Sequence, residues 1–223
     1  MTGRTLAIDT THEFGSIALL ERSAVLDEVL VHAPEGFGRM LFERIGALLE
    51  RWQLELADIE CFAAASGPGS FTGIRVGLAS MKGLAEASGR PAYGISTLRA
   101  IASFGSGPMR AAVLDARRGE VYAALYDSEG RLLSPEVVTR FGNWLEALPG
   151  GDVEFVCAEP FRTALAGTRF ANSQITAPPR ALAAAVGRLA STDWLSGRPG
   201  DPAFLDANYV RRSDAELFWK DSL

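Results

Sequence analysis

Ser66 to Gly77 reads SGPGSFTGIRVG, and the rest of the chain is organised around it. Just upstream, Ile59–Ala65 is an apolar run of strand length bounded by turn residues. Gly67, Pro68 and Gly69 cannot continue a strand and make a tight turn. Ser70 or Thr72 then caps a helix, because a hydroxyl oxygen accepts from the free amides of the first turn. The stretch is therefore a strand, a glycine loop and a helix start. Amides at such a junction converge on one point, which suits an anion or a partner's carboxylate. The same residues equally suit a turn that only packs a helix on a sheet.

Three familiar loops fail on spacing. A P-loop needs Lys-Ser/Thr after its last glycine, and Ile74-Arg75 follows Gly73. A dinucleotide loop needs G-x-G-x-x-G at the first strand, whereas this is G-x-G-x-x-x-G after at least two earlier strands. A nucleophile elbow needs G-x-S-x-G and a histidine later in the chain. Pro68 lies two before Ser70, and the only histidines are His12 and His32.

A chain of 223 residues suits one large domain or two lobes. No apolar run approaches the roughly 20 residues that span a bilayer, and Thr2-Gly3-Arg4 leads straight into a strand with no leader-like core. A cytoplasmic protein without membrane contact is expected. Cys61 and Cys157 lie in apolar runs and read as buried, reduced thiols. The net charge of -5 argues against a large independent nucleic-acid footprint. Zinc would need a cysteine pair or two histidines a turn apart, and neither exists.

In chain order, Thr5–Asp9 is an apolar strand ending in an acid, Thr10–Gly15 a turn, and Ser16–Leu20 and Val25–Val31 two further strands. Gly38–Trp52 reads as a helix with Leu41, Phe42, Ile45, Leu48, Leu49 and Trp52 on one face and Glu43, Arg44, Glu50 and Arg51 on the other. Met40 and Ala47 fall among those charges and read as ordinary surface. In the helix after the loop, Ile74, Leu78, Met81 and Ala85 form an apolar stripe, and Gly73, Gly77, Ser80, Gly83 and Ala87 a second stripe of small residues. Helical glycine costs about 1 kcal/mol relative to alanine, so the small stripe implies close backbone approach. The neighbour is either this chain or another.

After the short strand Ala92–Ile95, Ser96 caps a helix Leu98–Ser103. Phe104–Pro108 (FGSGP) has linker composition and marks a boundary between lobes 1–104 and 108–200. Beyond it RAAVLDARRGEVYAALYD repeats the opening RTLAIDTTHEFGSIALLE in pattern, and Asp115 falls where Asp9 did. A strand, an aspartate and a hairpin opening each half fit a duplicated α/β unit of the actin-like kind. In actin-like ATPases such aspartates hold the nucleotide's metal, but each of these two also suits capping the turn behind it. Ala116-Arg117-Arg118-Gly119 is a basic turn, either a solvated hairpin tip or an anion contact. Phe141–Leu148 reads as a helix, Glu154–Ala158 as a strand and Arg180–Leu195 as an alanine-rich helix. From 201 to 223 an irregular tail is expected to dock through Leu205, Tyr209, Phe218 and Trp219.

Asp9-Thr10-Thr11, SGPGSFTGIRVG, Lys82-Gly83-Leu84-Ala85 and Asp115-Ala116-Arg117 together resemble the TsaB (YeaZ) family. Tyr209 and Arg211 resemble that family's terminal P-x-Y-x-R, with Ala207 where proline is usual. The resemblance implies a duplicated actin/Hsp70-like (ASKHA, ribonuclease H-like) α/β fold in two lobes. It also implies a non-catalytic part in forming N6-threonylcarbamoyladenosine (t6A) beside the tRNA anticodon. The expected partners are the catalytic paralogue TsaD, in a heterodimer, and the ATPase TsaE, with a homodimer in isolation and tRNA met only through the complex. TsaD carries an H-x-x-x-H metal motif that this chain lacks. ATP and Mg are accordingly expected in the partner subunits, with no cofactor here. Pairing is expected through the first two helices, at Met40, Glu43, Arg44 and Ala47 and at Gly73, Val76, Gly77, Ser80, Gly83 and Ala87. The alternative is an actin-like nucleotide-dependent phosphotransferase with Asp9 and Asp115 at the metal and Gly67, Gly69 and Ser70 at the phosphates. A peptidase, once assigned to the wider family, finds no metal ligands or triad here.

Overall fold

The structure is a computed structural model, and it describes residues 2–211. Strands β1 (Arg4–Asp9), β2 (Phe14–Glu21) and β3 (Ala24–His32) form an antiparallel meander. Helix α1 (Leu41–Arg51) leads on to β4 (Cys61–Gly67), which pairs parallel to β1. Helix α2 (Phe71–Ser88) then crosses over to β5 (Ala92–Ser96), parallel to β4. The sheet order is β3-β2-β1-β4-β5. After α3 (Thr97–Ala102) the pattern repeats with β6 (Met109–Asp115), β7 (Glu120–Asp127), β8 (Leu132–Arg140), α4 (Phe141–Ala147), β9 (Val153–Val156), α5 (Glu159–Leu165) and β10 (Ile175–Thr176). The second sheet runs β8-β7-β6-β9-β10 with the same parallel and antiparallel pairings. Asp9 closes β1 and Asp115 closes β6, as the repeated sequence pattern predicts.

Alternation along the strands assigns the faces of the first sheet. Leu6, Ile8, Ile17, Leu19, Phe62 and Ala64 join one core with Leu41, Ile45 and Leu48 of α1 and Ile74, Leu78 and Met81 of α2. The opposite face carries α6 (Ala183–Leu195), whose Ser191 hydroxyl meets that of Thr5 at 3.0 Å. The first amides of α6 find tertiary partners. Leu182 N and Ala183 N donate to Ser16 Oγ at 3.0 and 2.8 Å, and Ala184 N donates to Glu28 Oε1 at 2.8 Å. A helix terminus otherwise leaves such donors unsatisfied. The second sheet builds its own core from Val113, Val121, Leu125 and Phe155 with Trp144, Leu145 and Leu165 of α4 and α5.

This placement corrects the expected division. One compact unit takes the chain to Ala100 and again from Pro179 to Ala207, and the other takes Ile101–Pro178 and resumes at Asn208. Helix α6, expected in the lobe 108–200, belongs to the first sheet. The break falls inside α3 and not in Phe104–Pro108. Strands β8 and β10 and helix α5 have no counterpart in the sequence reading. Pro135 lies in β8, an edge strand, at a register shift against β7 where it has no paired residue. In the tail Leu205 packs against the first core as expected and Tyr209 is exposed, while Phe218 and Trp219 lie outside the described residues. Among the described residues no helix is long and apolar enough to cross a membrane. Cys61 and Cys157 are buried free thiols; burial pushes them up to about 12 and about 11, respectively.

Candidate functional site

The glycine loop is a brace between α2 and the β1–β2 corner. Ser70 is the cap of α2, its hydroxyl accepting from Gly73 N at 3.2 Å, and Ser70 N donates to Thr11 O at 2.7 Å. Gly67 takes φ +105°, a left-handed value that glycine adopts without strain, and the Gly67–Pro68 bond is cis. A Cβ at Gly69 would stand 2.7 Å from both Cβ and O of Thr11, and one at Gly73 would overlap the Thr10 carbonyl oxygen. At Gly77 it would overlap Thr10 Oγ1, which donates to Gly73 O at 2.7 Å. The neighbour demanded by the small residues is thus this chain's own Thr10 and Thr11 at Gly69, Gly73 and Gly77. That removes Gly73 and Gly77 from the expected partner face.

Asp9 organises the corner from below. Its side chain is buried, the residue being 1% exposed. Oδ1 accepts from Thr11 N at 2.9 Å and from Thr11 Oγ1 at 2.6 Å. Thr11 Oγ1 also meets His12 Nδ1 at 3.0 Å. Oδ2 is buried with no hydrogen-bond partner. Asp115, its counterpart, is different. Its side chain is 56% exposed, Oδ1 accepts from Arg117 N at 2.8 Å, and Oδ2 lies 3.7 Å from Arg117 Nη1. Asp115 therefore pins its turn, while Asp9 pins a turn and keeps one oxygen in reserve.

The actin-like nucleotide and metal fit this arrangement poorly. Amides of Ser70 and Gly73 that would meet phosphate already have partners in the chain, and Thr10 and Thr11 fill the space in front of the glycines. In the second unit β9 runs through Cys157-Ala158 into Glu159-Pro160 at the start of α5, with no glycine at that junction. Among the described residues no group of three or more His, Cys, Asp or Glu side chains could hold a metal.

The remaining surface of α1 and α2 is mixed. Glu43, Arg44 and Ala47 on α1 and Gly83 and Ala87 on α2 are exposed, Met40 and Val76 are half-buried and lean on the core, and Ser80 is buried. Nothing stands within 4 Å of a Cβ built at Gly83. Phe42, expected on the core face of α1, is 55% exposed. It follows Leu41 by about 100° of helix, enough to tip it off the stripe formed by Leu41, Ile45, Leu48 and Leu49. Phe71 at the start of α2 is 43% exposed and lies under the Arg75 guanidinium at 3.7 Å from its centroid. The sequence marked neither aromatic as surface, because an isolated Phe beside apolar neighbours reads as core.

Comparison with known proteins places this architecture. A sequence model of the family described as TsaD, tRNA N6-adenosine threonylcarbamoyltransferase, matches residues 35–176. The Bacillus subtilis tRNA threonylcarbamoyladenosine biosynthesis protein TsaB is 32% identical over 152 residues, 66% of this chain and 66% of that protein. YeaZ from Pseudomonas aeruginosa superposes with a TM-score of 0.77 at 25% identity, covering 92% of this chain and 99% of that one. The chain belongs to the TsaB (YeaZ) family. An uncharacterized Mycobacterium tuberculosis protein shares 30% identity over 213 residues, 95% of this chain and 93% of its own length. TsaB-family membership accounts for the two sheets of one topology, the duplicated actin/Hsp70-like fold expected from the sequence.

Proposed function

We propose that this chain is a non-catalytic scaffold for forming t6A beside the tRNA anticodon, pairing with a TsaD-type catalytic subunit and assisting recruitment of a TsaE-type ATPase. The observation that carries the reading is the glycine loop. Its amides and open backbone brace Asp9-Thr10-Thr11 and leave no phosphate cradle. Such a brace fixes α2 on the sheet, and a rigid helix presents its outer side to a partner at little entropic cost on association. The pairing face comprises Glu43, Arg44 and Ala47 of α1 and Val76, Gly83 and Ala87 of α2, with exposed Phe42 and Phe71 as apolar anchors. The same face serves a homodimer when the partner is absent. ATP, Mg and the transferred group belong to the partner subunits, the tRNA is met through the complex, and the assembly works in the cytoplasm.

Reconstitution with a TsaD-type protein tests this. A stable heterodimer is expected, with t6A synthesis that needs both chains. Substantial t6A synthesis by this chain alone would overturn the scaffold reading. The buried, unpartnered Asp9 Oδ2 favours one other reading, an actin-like phosphotransferase. ATP-dependent turnover by the isolated chain, abolished by Asp9→Asn, would establish it instead.

A further inference from the structure

The β1–β2 and β6–β7 corners hold the same place in two sheets of one topology, yet their surroundings are opposite. The first is buried under the glycine loop. The second has no such loop over it, since β9 enters α5 without a glycine, and beyond buried Ala116 the residues Arg117, Arg118 and Gly119 are exposed. Arg117, Arg118 and Gly119 all lie in the left-handed region, at φ +63°, +56° and +76°. Glu120 N donates to Arg117 O at 3.0 Å, which centres a turn on Arg118-Gly119. Both central φ values are positive, the setting that favours Asn-Gly. Among the described residues, this is the one place where two adjacent non-glycine residues are left-handed. The turn itself does not call for arginine at either position.

The charge around the tip points to a reason. The Arg117 side chain is 86% exposed. Arg140, exposed at the end of β8, faces Glu120 in register. The guanidinium of Arg211 lies on the Glu120 carboxylate. Among the described residues, Arg117, Arg118, Arg140 and Arg211 thus share this end of the sheet with Asp115 and Glu120, in a chain whose net charge is -5. A hairpin tip cannot enclose a small anion, but forked guanidiniums suit the phosphate oxygens of a strand lying across them.

We propose that the Arg117-Arg118 tip, with Arg140 beside it, contacts the phosphate backbone of RNA bound by the assembled complex. The proposal rests on the scaffold reading for its RNA, and on the second unit's own geometry for its site. Phosphate contacts position a nucleic acid without reading its sequence, as befits a subunit beside the catalytic one.

The test uses two double variants, each assembled with the TsaD-type partner and titrated with unmodified tRNA transcript over a range of salt. Arg117→Gly with Arg118→Asn removes both charges while relaxing the left-handed backbone. It is expected to melt no lower than wild type, to pair normally, and to bind tRNA roughly tenfold more weakly. Its slope of log K against log salt should fall by about 1.5, because two phosphates are no longer neutralised. Arg117→Lys with Arg118→Lys should keep most of the affinity. Unchanged affinity and slope in the Gly/Asn variant would overturn the proposal. So would an equal fall in affinity in the lysine variant, or a failure of partner pairing in place of weaker RNA binding, which would make the tip a protein contact. Should the wild-type chain fail to pair at all, the scaffold reading fails, and the same titration on the isolated chain at low salt decides this one.

Discussion

Three glycines on one helix should respond to alanine in three ways, because Thr10 stands behind two of them. At Gly77 the new methyl overlaps Thr10 Oγ1, with Ile8 Cδ1 3.6 Å away on its other side. Thr10 is buried, so its hydroxyl cannot turn to solvent, and its 2.7 Å bond to Gly73 O is the first to break. The unsatisfied buried hydroxyl and carbonyl cost at least about 1 kcal/mol each, about 2–3 kcal/mol together, and alanine's better helix propensity returns about 1 kcal/mol. The net is a destabilisation of about 1–2 kcal/mol, or roughly 2–8 °C in melting temperature for a chain of this size. At Gly73 the obstacle is the Thr10 backbone carbonyl, which no rotamer moves. Alanine there should cost about 3 kcal/mol or more, since the helix or the corner must shift. Gly83 has open space, so Gly83→Ala should stabilise by about 1 kcal/mol. Thermal and urea unfolding of the three variants measure the order. Thr10→Ala placed with Gly77→Ala removes the overlapping atom, and the pair should couple by about 1 kcal/mol. A Gly77→Ala protein as stable as wild type, or one that does not couple to Thr10→Ala, would refute the brace.

Asp9→Ala leaves Thr11 N and Oγ1 buried without their acceptor and should cost about 2 kcal/mol, against about 0.5 kcal/mol for exposed Asp115→Ala, with t6A synthesis by the folded complexes little changed; chemical denaturation and a reconstituted assay separate the two. Ala87→Arg on exposed α2 surface should weaken pairing with the TsaD-type subunit about tenfold or more while the melting temperature stays put, as read by sedimentation; unaltered pairing would move the interface elsewhere. Burial pushes Glu154 up, but hydrogen bonds from Thr176, Gly107 N and Ser106 N, together with the Arg110 charge, outweigh it and hold the carboxyl below its ordinary value. A depressed folded pKa stabilises fully above the unfolded value of about 4.3 and is lost as pH falls through the folded one. Acid unfolding of the second unit should therefore be less steep in Glu154→Gln, and an unchanged profile would contradict this.

Much of this protein was readable in local windows. Apolar runs of strand length gave β1 to β4, hydroxyl chemistry narrowed the α2 cap to Ser70 or Thr72, and the matched openings gave Asp9 and Asp115 as equivalent strand ends. These features depend on residues within a few positions of one another, so the sequence displays them directly. The tertiary structure alone decided who stands behind the glycines. Thr10 and Gly73 are 63 positions apart, and nothing near either announces the other. It likewise decided that α6 caps the first sheet, through amides that reach Ser16 across 166 and 167 positions. An alanine-rich helix has no strong polar face to declare which sheet it covers. Asp9 and Asp115 are the sharpest case, since two aspartates in one sequence pattern end up buried and exposed. Burial belongs to what the rest of the chain brings up against a residue, and here that is a glycine loop present in one repeat and missing from the other.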